Sequence, residues 1–164
     1  MPTARNRDAV TVTTTVALDP DAAFRLFTDD VDTWWQRGPR YRFRLGEEGV
    51  MRFEPGVGGR FLEVFDQAAG DVYEVGRVLV WEPGDRLMFE FRPRDFGPGD
   101  VTEVDVRFQR TPEGTLITLE HRGWDSIAAD HPVRHGMRGS AFQDMMGVWW
   151  ADLFHALQNH ARKG

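Results

Sequence analysis

Two side chains in this sequence have the type and the neighbours for acid–base chemistry inside a protein. Glu63 sits in R-F-L-E-V-F, where strand alternation groups it with Phe61 and Phe65. His121 closes the run Thr115, Ile117, Leu119, His121, whose members share one face of a strand. If those faces point inward, a carboxylate and an imidazole stand in apolar surroundings. A bare buried carboxylate is costly, so Glu63 requires a partner. Arg60, Arg77 and His121 are the candidates. Glu63 and His121 together could act as acid and base, or anchor a ligand. The plainer reading is preferred: a structural ion pair, and a histidine held by a neighbouring carbonyl or carboxylate.

Other chemistry is poorly served. The stretch E-P-G-V-G-G-R-F has three glycines in four positions but lacks the Lys-Ser/Thr of a phosphate loop. A strand follows it, where a dinucleotide fingerprint would open a helix. Its glycines read as a tight turn or bulge before a strand. Without cysteine there is no thiolate ligand, disulfide or cysteine nucleophile. Pro132 lies between His131 and His135, and His155 and His160 do not share a helical face, so no metal site is expected. No G-x-S-x-G nucleophile elbow is present.

The elements that must position these residues follow from periodicity. A strand is expected over Val10–Ala17. Asp19 as N-cap and Pro20 at the first helical position start a short helix carrying Phe24, Phe27 and Val31, which runs to Trp34 and Trp35. Strands follow: Tyr41, Phe43 and Leu45 alternating with arginines, then Val50–Glu54, Arg60–Phe65, Val72–Glu82 and a strand bearing Leu87, Phe89 and Phe91. Two more strands, Thr102 to Gln109 and Thr115 to Arg122, flank the hairpin turn T-P-E-G. A segment from Gly123 to Gly139 reads as mobile. From Ser140 the period changes to 3.6, with Phe142, Met145, Met146, Trp149, Leu153, Ala156, Leu157 and His160 on one face of a long helix. A curved antiparallel sheet wrapped around that helix is the economical α+β packing, and one domain accounts for residues 1–164, with its core in 10–161.

The net charge of −6 disfavours a nucleic-acid partner. The run Arg37–Arg44 interleaves arginines with aromatics and reads as the wet face of a strand. No stretch reaches the roughly 20 apolar residues of a membrane span, and no signal peptide is visible, so a soluble cytoplasmic protein is expected. The aromatic load of 12 Phe, 6 Trp and 2 Tyr exceeds the needs of a compact core and points to a cavity. Trp34, Trp35, Phe43, Phe89, Phe91, Phe108, His121, Phe142, Met146 and Trp149 are its candidate lining. Methionine on the closing helix suits an adaptable apolar surface.

Four stretches in order, E-P-G-V-G-G-R-F-L-E, G-R-V-L-V-W-E-P-G-D-R-L-M-F-E-F, V-T-E-V-D-V-R-F and T-L-I-T-L-E-H-R-G-W, resemble the SRPBCC superfamily, the START-like and birch-pollen-allergen-like helix-grip group. Within it the chain is most similar to bacterial proteins like the C-terminal domain of the activator of the ninety-kilodalton heat-shock protein's ATPase. The resemblance covers Val10 to Ala161. Pro83-Gly84 departs from the family's Pro-Pro turn. The resemblance implies a helix-grip fold with a cavity between sheet and helix, and much less about chemistry. Three functions are compatible with it. The first is a binder of a hydrophobic or amphipathic small molecule, without cofactor, as monomer or homodimer. The second is an enzyme using Glu63 and His121 within about 3 Å of each other or of a shared water. The third is a chaperone-ATPase-activator-like interaction module.

Overall fold

The computed structural model describes residues 9–38, 40–44, 46–93, 96–124, 127, 131 and 140–163. The chain forms β1 (Ala9–Val16), α1 (Pro20–Thr28), α2 (Val31–Trp34), β2 (Val50–Phe53), β3 (Arg60–Asp66), β4 (Asp71–Glu82), β5 (Arg86–Phe91), β6 (Thr102–Thr111), β7 (Gly114–Arg122) and α3 (Ser140–Lys163). The strands make one antiparallel sheet in the order β1-β7-β6-β5-β4-β3-β2. Register shifts at Phe61/Leu62, Val64/Asp66 and Val78/Val80 bend it around its apolar face. This is the expected helix-grip architecture.

Local chemistry explains the elements. Asp19 Oδ1 accepts from the Ala22 N–H at 2.8 Å, which caps α1 ahead of Pro20. In β7 every second residue from Thr115 to His121 is buried, as the alternation predicts. Along α3 the buried positions are Phe142, Gln143, Met146, Trp150, Leu153, Phe154, Leu157 and Ala161. That face is rotated from the expected one: Trp150 points inward and Trp149 is half-exposed. Two adjacent tryptophans lie about 100° apart on a helix, so periodicity alone fits either as the core member.

Both edges of the sheet are covered. Gln158 of α3 donates to the Thr15 carbonyl at 3.0 Å and Gln143 to the Ala9 carbonyl at 3.4 Å, along the free side of β1. At the other edge, the Met51 N–H donates to Asp32 Oδ1 at 2.8 Å.

The described residues between 36 and 49 do not form the expected strand. They run in turns and bends, and residues 39 and 45 lie outside the described residues. Arg42 is buried rather than on a wet face. The physical reason is that hydrogen bonds to side chains replace a strand ladder there. Of the segment from Gly123 to Gly139, only residues 123, 124, 127 and 131 are described, so its expected mobility falls outside them.

The glycine stretch is a turn that launches β3. Gly56 and Gly58 take φ of 90° and 87°. The Gly58 N–H donates to the Val78 carbonyl, and the Gly59 carbonyl accepts from the Val78 N–H, so the loop is stitched to β4 rather than open to an anion. A Cβ at Gly59 would stand 2.2 Å from the Glu54 carbonyl oxygen. Gly59→Ala therefore forces backbone to move. The expected result is a loss of about 2 kcal/mol, read as a melting temperature lower by roughly 4–8 °C.

Candidate functional site

Glu63 is fully buried, but none of its three candidate partners serves it. Arg60 pairs with Glu54 at 2.7 Å and Arg77 with Glu74 at 3.0 Å. The Glu63 carboxylate accepts instead from two backbone amides, Phe43 N–H at 3.0 Å and Gly49 N–H at 2.8 Å. The Arg42 guanidinium stands 3.6 Å from Oε2. Arg42 also donates to the carbonyls of Gln36 (3.1 Å), Trp35 (3.3 Å) and Gly49 (3.0 Å) and to Asp32 Oδ1 (3.3 Å). Glycine is required at 49 because a Cβ would lie 2.5 Å from the Val64 carbonyl oxygen. Glu63 thus fastens the segment from 36 to 49 to β3. Phe65 does not share its burial. The register shift between Val64 and Asp66 interrupts the alternation after Glu63, and the Phe65 ring carries the Arg44 guanidinium at 3.8 Å.

His121 is also fully buried, and its ring is part of a chain of hydrogen bonds. Trp150 Nε1–H donates to Nδ1 at 3.1 Å. Nδ1 is therefore the acceptor and Nε2 carries the proton. Nε2–H donates to Thr102 Oγ1 at 2.8 Å, and that hydroxyl donates to the Phe91 carbonyl at 2.8 Å. Burial pushes the imidazole pKa down to about 3, so the ring is neutral. Both of its nitrogens are engaged within the protein.

Glu63 and His121 do not meet. They lie on β3 and β7, four strand steps apart in the sheet order, which is about 19 Å along the sheet. Each has its own partners.

The aromatic residues divide into two contacting groups. Trp34, Phe89 and Phe108 belong to the group under α1 and α2. Trp34 donates to the Leu26 carbonyl at 3.0 Å and its ring lies 4.9 Å from Phe27; Phe108 touches Phe24 and Phe27; Phe89 touches Phe53 and Phe61. Trp35, Phe43, Phe91, His121 and Phe142 belong to the group under α3. Trp35 meets Trp150 edge-on at 5.8 Å, Phe91 meets His121 at 5.0 Å, and Trp124 links His121 to Phe142. Trp35 joins the groups through Trp34 and Phe61. Met146 is buried on α3. Trp149 sits at the surface seam, with the Arg40 guanidinium 5.2 Å from its ring.

Arg42, Thr102, Trp124 and Trp150 are the contributors that sequence reasoning missed. Trp150 was within reach, being one position from Trp149. Arg42 gave no signal, since its flanking aromatics match an exposed strand position equally well. Among the described residues no group of three or more His, Asp or Glu could hold a metal ion.

Glu63→Gln keeps one oxygen to accept from one backbone N–H, sets its amide N–H against the other, and leaves Arg42 without its buried counter-charge. We expect a loss of about 3 kcal/mol in urea denaturation, the scale seen when one partner of a buried pair is removed. For His121 the folded pKa of about 3 lies below the ordinary 6.5. The unfolded chain then binds an extra proton between those values, so stability is lost as pH falls below 6.5. The His121-linked loss between pH 7.5 and pH 5 is about 2 kcal/mol. His121→Gln should remove that component, which paired urea curves at the two pH values would read as a flatter pH dependence.

A family model described as "Activator of Hsp90 ATPase homolog 1-like protein" matches residues 17–146. None of the curated proteins matches the chain. Among solved structures, the chain is similar to a protein from Nitrosomonas europaea, at 17% identity and TM-score 0.63, covering 98% of this chain and 97% of that one. It is similar to an AHSA1-like protein from Aeromonas hydrophila, at 16% identity and TM-score 0.62, covering 94% and 92%. It is also similar to the Aha1 dimer from Colwellia psychrerythraea, at 14% identity and TM-score 0.58, covering 92% and 93%. At these identities the structures share the fold, while the model spans most of the chain. The chain belongs to the Activator of Hsp90 ATPase homolog 1-like family, within the SRPBCC superfamily.

Proposed function

We propose that this chain binds a hydrophobic or amphipathic small molecule between the curved sheet and α3. The observation that carries the reading is the inner aromatic surface around Trp35, Phe43, Phe91 and Trp150, whose buried polar groups are already satisfied. Such a surface offers area and ring faces rather than a reacting group. Glu63 and His121 have no catalytic part in this reading, because the carboxylate is tied to two amides and the imidazole to Trp150 and Thr102. The Colwellia relative is described as a dimer, so a homodimer is a natural state for the binding form. Family membership also keeps open a second reading, an interaction with a chaperone ATPase; a pull-down that captures no chaperone would end it.

Tryptophan fluorescence and thermal shift against lipids and aromatic metabolites test the binding reading. Trp35 and Trp150 touch each other, so a ligand at their rings should change emission. A ligand at a hundred times its Kd adds about 2.7 kcal/mol, which corresponds to a melting temperature raised by roughly 5–10 °C. A panel that changes neither signal would sink the proposal.

A further inference from the structure

Arg40 is exposed at the seam between the segment from 36 to 44 and α3. Its guanidinium stands 5.2 Å from the Trp149 ring centroid and interacts with the Tyr41 hydroxyl, and among the described residues it is in no ion pair with a carboxylate. In this it differs from its neighbours: Arg37 pairs with Asp32 and Glu48, Arg42 with Asp32 and Glu63, and Arg44 with Glu47 and Asp71. The nearby carboxylate, Asp152, accepts from the Tyr41 hydroxyl at 3.4 Å, and its backbone carbonyl accepts from Gln36. The same seam overlies the interior. Trp35 Nε1–H donates to the Tyr41 carbonyl at 2.8 Å, and the Trp35 ring meets Trp150, which follows Trp149 on α3. A cation with open donors therefore stands at the rim, a few residues from the apolar rings beneath it.

We propose that Arg40 is a specificity-determining residue that receives the carboxylate head of an amphipathic ligand whose apolar body reaches the Trp35–Trp150 pair. The inference rests on the ligand-binding reading above. A guanidinium has five N–H donors, so contact with the Trp149 ring and the Tyr41 hydroxyl leaves donors for a planar carboxylate, and a two-point contact of that kind separates a carboxylate from an alcohol of equal length. Trp149 holds the guanidinium in place by cation–π attraction.

Titration of matched pairs decides the matter: decanoate against decanol, and 2-naphthylacetate against 2-naphthylethanol, followed by tryptophan fluorescence and calorimetry. The wild-type protein should prefer the acid of at least one pair about tenfold, the scale of one charge-assisted contact. Arg40→Gln should erase that preference and leave the alcohol's affinity unchanged, with Arg40→Lys intermediate. Arg40 is exposed, so these variants should retain the wild-type melting temperature. Equal binding of acid and alcohol by the wild type, or a preference that survives in Arg40→Gln, overturns the role of Arg40 and leaves ligand binding standing. No binding of any of the four compounds overturns both.

Discussion

A single buried carboxylate organises the segment between α2 and β2. The segment from 36 to 49 has no ladder of its own, yet it carries Phe43 into the core. Its backbone groups need partners, and Glu63 and Arg42 provide them: the acid takes two N–H groups, the guanidinium two carbonyls of the segment and that of Trp35 just before it. The charges that make these bonds strong also neutralise each other. The arrangement is a clamp of opposite polarity on one irregular stretch, and the wall around Trp35 and Phe43 depends on it.

The interior behind that wall holds a second set of buried polar groups that are paired with one another. Trp150, His121, Thr102 and the Phe91 carbonyl form one directed series of hydrogen bonds, each donor used by the next acceptor. The series ties α3 to β7, β6 and β5 at a point otherwise occupied by rings. Partly satisfied networks of this kind are costly, and fully satisfied ones fix a unique arrangement. Here the network sets the rotation of α3, because Trp150 has to reach Nδ1 of His121.

The fold was largely legible in the sequence because its signals are local. Alternation located the strands, Asp19-Pro20 located a helix start, and the change of period at Ser140 located α3. The glycine stretch was also legible, since its missing Lys and its following strand already excluded a phosphate cradle. What escaped was set by long-range partners. Glu63 was correctly placed inside, but its true companions come from a segment whose alternating Arg and aromatic residues imitate a strand. The burial of His121 was readable, whereas its partners Thr102 and Trp150 are contributed by other elements. Trp149 and Trp150 differ by one position, and only the docking of α3 decides between them.

The glutamines of α3 that reach the backbone of β1 also bear on how the chain acquires its shape. β1 precedes every other described element and α3 follows them all. The free edge of β1 therefore stays unguarded until the last described helix arrives, although its pairing with β7 can form earlier. During that interval an open strand edge is the surface most prone to association with another nascent chain. In this topology, the closing helix acts as the final safeguard of assembly as well as a wall of the interior.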